Sequence, residues 1–294
     1  MKGIGYFYKP IKKRPELLLI FGIVTFIFCY VEYKFIMPVV FGLSILKTGN
    51  IFGSIMHLIQ MVLNNLTNIS PVNFVFLFIA IIAVSLIAGL VLSGYLNVLN
   101  SSFVDSRRER GTFAKGIQKH YLKITRTTFL TILYSLLFVI FMVVVAVPSI
   151  VITSAAVTDK PELLLVSVIL AVITLAIMIF SIMFFRIYIL FWYPAAINFD
   201  KKLFAKGKRA ADASFWRVVA SLLWFDFLFI AIQGALFIAN SHLSKSESAY
   251  SGVISVVVLL FVNWIFKTVL FASIINVAFS KFTSYWKKQT PAVN

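Results

Sequence analysis

Residues 163–197 read LLLVSVILAVITLAIMIFSIMFFRIYILFWYPAAI, and a single charge, Arg186, interrupts them. The run is continuously apolar, without the two-residue alternation of a barrel strand. About 20 mostly apolar residues span a hydrocarbon core as helix, whereas a spanning strand needs only about 9–11. A membrane-crossing helix is therefore the reading for this stretch. Five other segments qualify in the same way: 16–37, 72–98, 127–157, 218–240 and 252–280. The chain of 294 residues is 61% hydrophobic and 13% charged, with a mean hydropathy of +0.98. Soluble domains run near 45–50% apolar and about 25% charged. The expected fold is all-α, a polytopic six-helix transmembrane bundle with cytoplasmic and outer interfacial amphipathic helices. Residues 1–294 are expected to form a single integral membrane domain.

The formal net charge is +17. In a soluble protein that balance points to nucleic acid; here it reads as topology. Of the 27 Lys and Arg, 21 fall in the N-terminal stretch, in 99–126, in 198–217 and in the C-terminal tail. The opposite loops hold only Lys47, Lys160 and Lys245. Cytoplasmic loops carry the excess of basic residues, so both termini are expected in the cytoplasm of a bacterial plasma-membrane protein. No nucleic-acid partner is needed to account for the charge. The first apolar run is too long for a signal peptide's core and reads as an uncleaved span. Trp192-Tyr193, Trp216 and Tyr285-Trp286 mark headgroup depth.

Segment 38–71 is apolar but broken by Gly42, Gly49 and Gly53. It reads as a short helix in the outer interface, with a re-entrant hairpin as the competing reading. Cys29 is the only cysteine, so no internal disulfide forms. His57, His120 and His242 lack metal-ligand spacing. No metal or cofactor is expected.

FAKG occurs twice, at 113–116 and 204–207. Neither copy has the GxxxxGK[ST] spacing of a phosphate loop. The letters alone prove no repeat, because FLFIAI also recurs, at 76–81 and 227–232, in spans of opposite direction. The context of FAKG is more informative. Each copy follows an inward span, sits in a basic segment and precedes an outward span. In the first segment Phe113, Ile117, Tyr121 and Ile124 share one helical face, and Lys115, Lys119, Lys123 and Arg126 the other. In the second, Phe204, Ala211 and Phe215 oppose Lys202, Lys206 and Arg209. These seven cations are candidates for contact with anionic headgroups. The repeating unit is either span, basic helix, span, or simply the ordinary basic hairpin any cytoplasmic turn provides.

The stretch RIYILFWYPAAINFDKKLFAKGKRAADASFWRVVASLLWFDFLFI, residues 186–230, resembles the membrane domain of the glycerophosphoryl diester phosphodiesterase family and its bacterial relatives. The shared features are Phe191-Trp192-Tyr193-Pro194, the turn from Asp200 to Arg209, and Ser214-Phe215-Trp216. The resemblance implies a multi-pass membrane domain. That family's hydrolase lies in a separate soluble barrel with metal ligands that this chain lacks, so the activity is not implied here.

Charges inside spans are costly and usually face a partner. Arg186, Asp226 and Lys267 lie deep, and Arg186 and Asp226 fall at overlapping depth. They form either an intramembrane polar site for an anionic substrate or a neutralised packing pair. Glu32 and Lys34 read as snorkelling at the outer interface. Ser85, Gly89 and Ser93 recur every four residues and suit close helix packing. No catalytic constellation is visible. The expected function is a non-enzymatic accessory or scaffold component that binds anionic lipid, a membrane partner or a second copy. A small permease or exporter is the alternative.

Overall fold

The computed structural model describes residues 13–32, 70–103, 110–158, 161–243 and 249–289. Among them are six α-helices: α1 (Glu16–Val31), α2 (Pro71–Phe103), α3 (Thr112–Thr158), α4 (Leu164–Asn198), α5 (Leu203–Leu243) and α6 (Ala249–Gln289). A 3-10 turn, Pro161–Leu163, leads into α4. No strand occurs among the described residues. The helices α2 to α6 are each long and apolar enough to cross a membrane, and α1 is a shorter apolar helix. The chain is an all-α integral membrane protein. The expected outer interfacial helix lies outside the described residues as far as residue 69.

Helix starts follow local chemistry. Ser70 caps α2, its Oγ accepting the Val72 amide at 3.3 Å, and Pro71 occupies the first helical position, where its missing N–H costs nothing. Glu16 in the first turn of α1 and Lys287 and Lys288 in the last turn of α6 oppose the helix dipole.

The basic amphipathic segments are not separate elements. They form the first turns of α3 and α5, which continue unbroken into the apolar spans. The α3 helix has 47 residues, about 70 Å at 1.5 Å per residue, more than twice a ~30 Å hydrocarbon core. The reason is plain in hindsight. Neither Gly nor Pro occurs from Ile117 to Val147 or from Lys208 to Gln233, so nothing interrupts the hydrogen-bond ladder where polarity changes.

The chain divides into two compact units, and α2, α3 and α4 contribute residues to both. The first comprises Met1–Tyr33, Val91–Ile124 and Ile187–Asn294. Its core is built from Phe21, Tyr95, Leu99, Ile124, Ile197 and Phe279, one or two from each of five helices. The second comprises Lys34–Leu90 and Thr125–Arg186. In it Phe138 stacks on Phe185 at 4.2 Å and Phe78 meets Phe129 edge-on at 5.9 Å. Ile87 and Leu165 are 70% and 72% exposed. Such residues face lipid at no cost in a membrane.

Candidate functional site

Gly111 and Lys202 both have positive φ, 75° and 55°. Each immediately precedes a helix, and the left-handed turn redirects the chain into it. Each carbonyl accepts a bond that opens the following helix: Lys115 N–H to Gly111 at 2.9 Å, and Lys206 N–H to Lys202 at 3.0 Å. The donors are the lysines of the two FAKG copies. The other letters also take matching places. Phe113 fills the space beside Gly94, where an added Cβ would lie 2.5 Å from its ring. Phe204 packs edge-on against Trp192 at 4.9 Å. A Cβ on Gly116 would lie 2.5 Å from Asn97 Cβ and 2.9 Å from the Ser93 carbonyl. A Cβ on Gly207 would lie 3.1 Å from the Phe191 carbonyl. In both copies, then, Phe wedges the new helix against the preceding one and Gly lets the backbones approach. Each FAKG copy therefore lies where the two helices of a hairpin pack closely.

The two hairpins are also fastened to each other within the first unit. Lys123 on α3 forms an ion pair with Asp200 in the α4–α5 turn. The hydrogen bond from Lys123, and then its charge, hold the Asp200 carboxyl below its usual range. The side chains of Asn100 and Asn198 exchange two amide bonds of 3.3 Å. Asn97 donates to the Thr112 carbonyl at 2.9 Å, steadying the start of α3. Lys206 lies 3.7 Å above the Phe199 ring. Lys115, Lys119, Lys202 and Arg209 are exposed, and Lys123 and Lys206 are half-buried. Arg126 is exposed and belongs to the second unit.

Of the intramembrane charges, Lys267 has a partner on α1 that the sequence reading did not assign to it. Lys267 is 1% exposed and forms an ion pair with Glu32 at the end of α1. The rings of Phe28 and Phe229 each stand 5.8 Å from its ammonium. Two further links hold α1 against α6, nearer the start of α1. The hydroxyls of Thr25 and Thr268 meet at 2.5 Å, and Trp264 Nε1 donates to the Gly22 carbonyl at 2.6 Å. Glu32 therefore does not snorkel. Without the carboxylate the buried Lys267 ammonium would be uncompensated, which is strongly destabilising. Asp226 on α5 and Arg186 on α4 are both half-buried. A depth comparison could have found the pair. Lys267 lies 14 residues from Lys281 and Glu32 lies 18 from Arg14, so both sit about 20–27 Å along their helices from a basic end.

Along α2, Ser85 and Ser93 are buried. Ser85 Oγ donates to the Ile81 carbonyl at 2.6 Å. Between them Gly89 lies against Thr125, whose Cα is 2.9 Å from where a Cβ would stand. His120 is buried on α3, and its Nδ1 has no hydrogen-bond partner among the described residues. No family model, no curated protein and no solved structure matches this chain.

Proposed function

We propose that this chain is a non-enzymatic integral membrane component whose two basic hairpins hold anionic headgroups, or an acidic membrane partner, against the cytoplasmic leaflet of a bacterial plasma membrane. The observation that carries this reading is the fastening of the hairpins. Lys123–Asp200 and Asn100–Asn198 join the α2–α3 hairpin to the α4–α5 hairpin, so the exposed Lys115, Lys119, Lys202 and Arg209 belong to one basic surface and not to independent loops. Cations beside an anionic leaflet contribute about 1 kcal/mol each, and a surface fixed in advance loses little entropy on binding. The charge bias supports a cytoplasmic location for that surface. The permease reading would gather Arg186, Asp226 and Lys267 into one anion site; the pairing of Lys267 with Glu32 removes its charge from that set and lends the reading less support.

The test is lipid selectivity of the purified protein. In native mass spectrometry the wild type should retain phosphatidylglycerol in preference to phosphatidylcholine. The triple variant Lys115→Gln, Lys119→Gln, Lys123→Gln should lose that preference by about tenfold or more. An unchanged preference refutes the reading.

A further inference from the structure

Arg14, just before α1, is 5% exposed. Its Nη1 lies 3.6 Å from Glu16 Oε1, and its Nη2 has no hydrogen-bond partner among the described residues. A guanidinium carries five N–H donors and cannot shed its charge, so leaving one buried without an acceptor is costly. This side chain lines a cavity of about 560 Å³ whose described walls include Glu16, Arg110, Gly111, Thr112 and Phe113. Its size falls in the range of small-ligand sites.

The opposite wall is the beginning of α3. Lys115 N–H bonds the Gly111 carbonyl, so the amides of Phe113 and Ala114 stand at the positive end of a 47-residue helix. The positive φ of Gly111 brings Arg110 round to the same mouth. Two guanidiniums and a helix N-terminus therefore face one space, and among its described walls Glu16 is the one carboxylate. Anions with several oxygens, phosphate above all, satisfy such a set. Arginine forks match two oxygens, and helix amides take a third. We propose that this cavity binds a single phosphate group, held by Arg14, Arg110 and the first amides of α3. The phosphate belongs either to a lipid headgroup or to a soluble ion. The site is discrete and saturable, unlike the diffuse attraction of the basic hairpins, and it stands apart from that proposal.

Full-length protein in dodecyl maltoside is titrated with dioleoyl phosphatidic acid, dioleoyl phosphatidylcholine and inorganic phosphate, with binding read by native mass spectrometry and thermal shift. The wild type should bind one phosphatidic acid saturably. Arg110→Glu should weaken this by about tenfold or more. Arg110 is exposed, so this variant keeps the test sound if Arg14→Gln does not fold; where it folds, Arg14→Gln should weaken binding comparably. The double variant Lys287→Gln, Lys288→Gln removes the same charge elsewhere and should bind as the wild type does. Displacement of the lipid by millimolar inorganic phosphate identifies a soluble ligand, and binding of the lipid alone identifies a headgroup; either outcome supports the site. Wild-type affinity in Arg110→Glu, or an equal loss in the Lys287/Lys288 variant, overturns it. The hairpin proposal fails separately, through the lipid preference of the Lys115/Lys119/Lys123 variant.

Discussion

The α2–α3 and α4–α5 hairpins begin their second helices in the same way, yet they differ in how tightly they are made. In the first, glycine stands at the left-handed turn and the crossing leaves no room at Gly116. In the second, Lys202 holds the left-handed turn, and a Cβ at Gly207 would be squeezed at 3.1 Å from the Phe191 carbonyl without the outright clash found at Gly116. What recurs is a geometry: a reversed turn, a wedge and a close approach. The amount of strain each copy tolerates does not recur. The first hairpin is locked by fit. The second is looser in packing and carries its strain in the backbone.

Gly116→Ala should break the comparison most severely. Its methyl group would meet Ser93 backbone as well as Asn97, and overpacking of this kind costs about 1–3 kcal/mol. The expected loss lies at the upper end of that range, read as a lowered midpoint of unfolding in mixed detergent. Exchanging the turn residues is the next largest effect. A Cβ at Gly111 meets nothing within 4 Å, so Gly111→Ala isolates backbone strain and should destabilise by about 1 kcal/mol. Lys202→Gly relieves the same strain in the other copy and should stabilise by about 0.5–1 kcal/mol. If both substitutions shift the midpoint in the same direction, the two turns are not equivalent. Gly207→Ala should shift it by less than about 1 kcal/mol, because the helix propensity gained offsets a mild squeeze.

The smallest effect concerns pH. Asp200 has a folded pKa depressed below 3.8 by Lys123. The stabilisation from that pair is fully present above the unfolded carboxylate value and disappears as pH falls through the folded one. Wild type and Asp200→Asn should differ by a constant small melting increment above pH ~5, with the gap closing below pH ~4. The pair is exposed, so the increment is small. A gap that widens in acid contradicts the assignment.

Much of the fold was legible because hydropathy is a local property. The apolar runs around Val84, Val139, Ile173, Ile230 and Val269 each lie within a long membrane-type helix. The boundaries of α3 and α5 were not legible, because the change from basic to apolar at Arg126 and Val218 looks like a junction while the backbone runs straight through it. The recurrence of FAKG was visible, but its meaning resides in Gly94, Asn97 and Phe191 on other helices, which no local pattern connects to it. The buried ion pair was missed for the same reason. Lys267 pointed to the other deep charges, Arg186 and Asp226, while Lys34 beside Glu32 suggested an interface.

The pairing of Glu32 with Lys267 joins residues 235 positions apart, on the first and last of the described helices. During synthesis, α1 leaves the ribosome long before α6 exists. Until then Glu32 lacks that partner, and an unpaired carboxylate within a span is costly. Completion of the last helix supplies the missing cation and draws the first into place. The pair thus acts as a closing clasp. It makes this contact of the first unit conditional on α6 having been made.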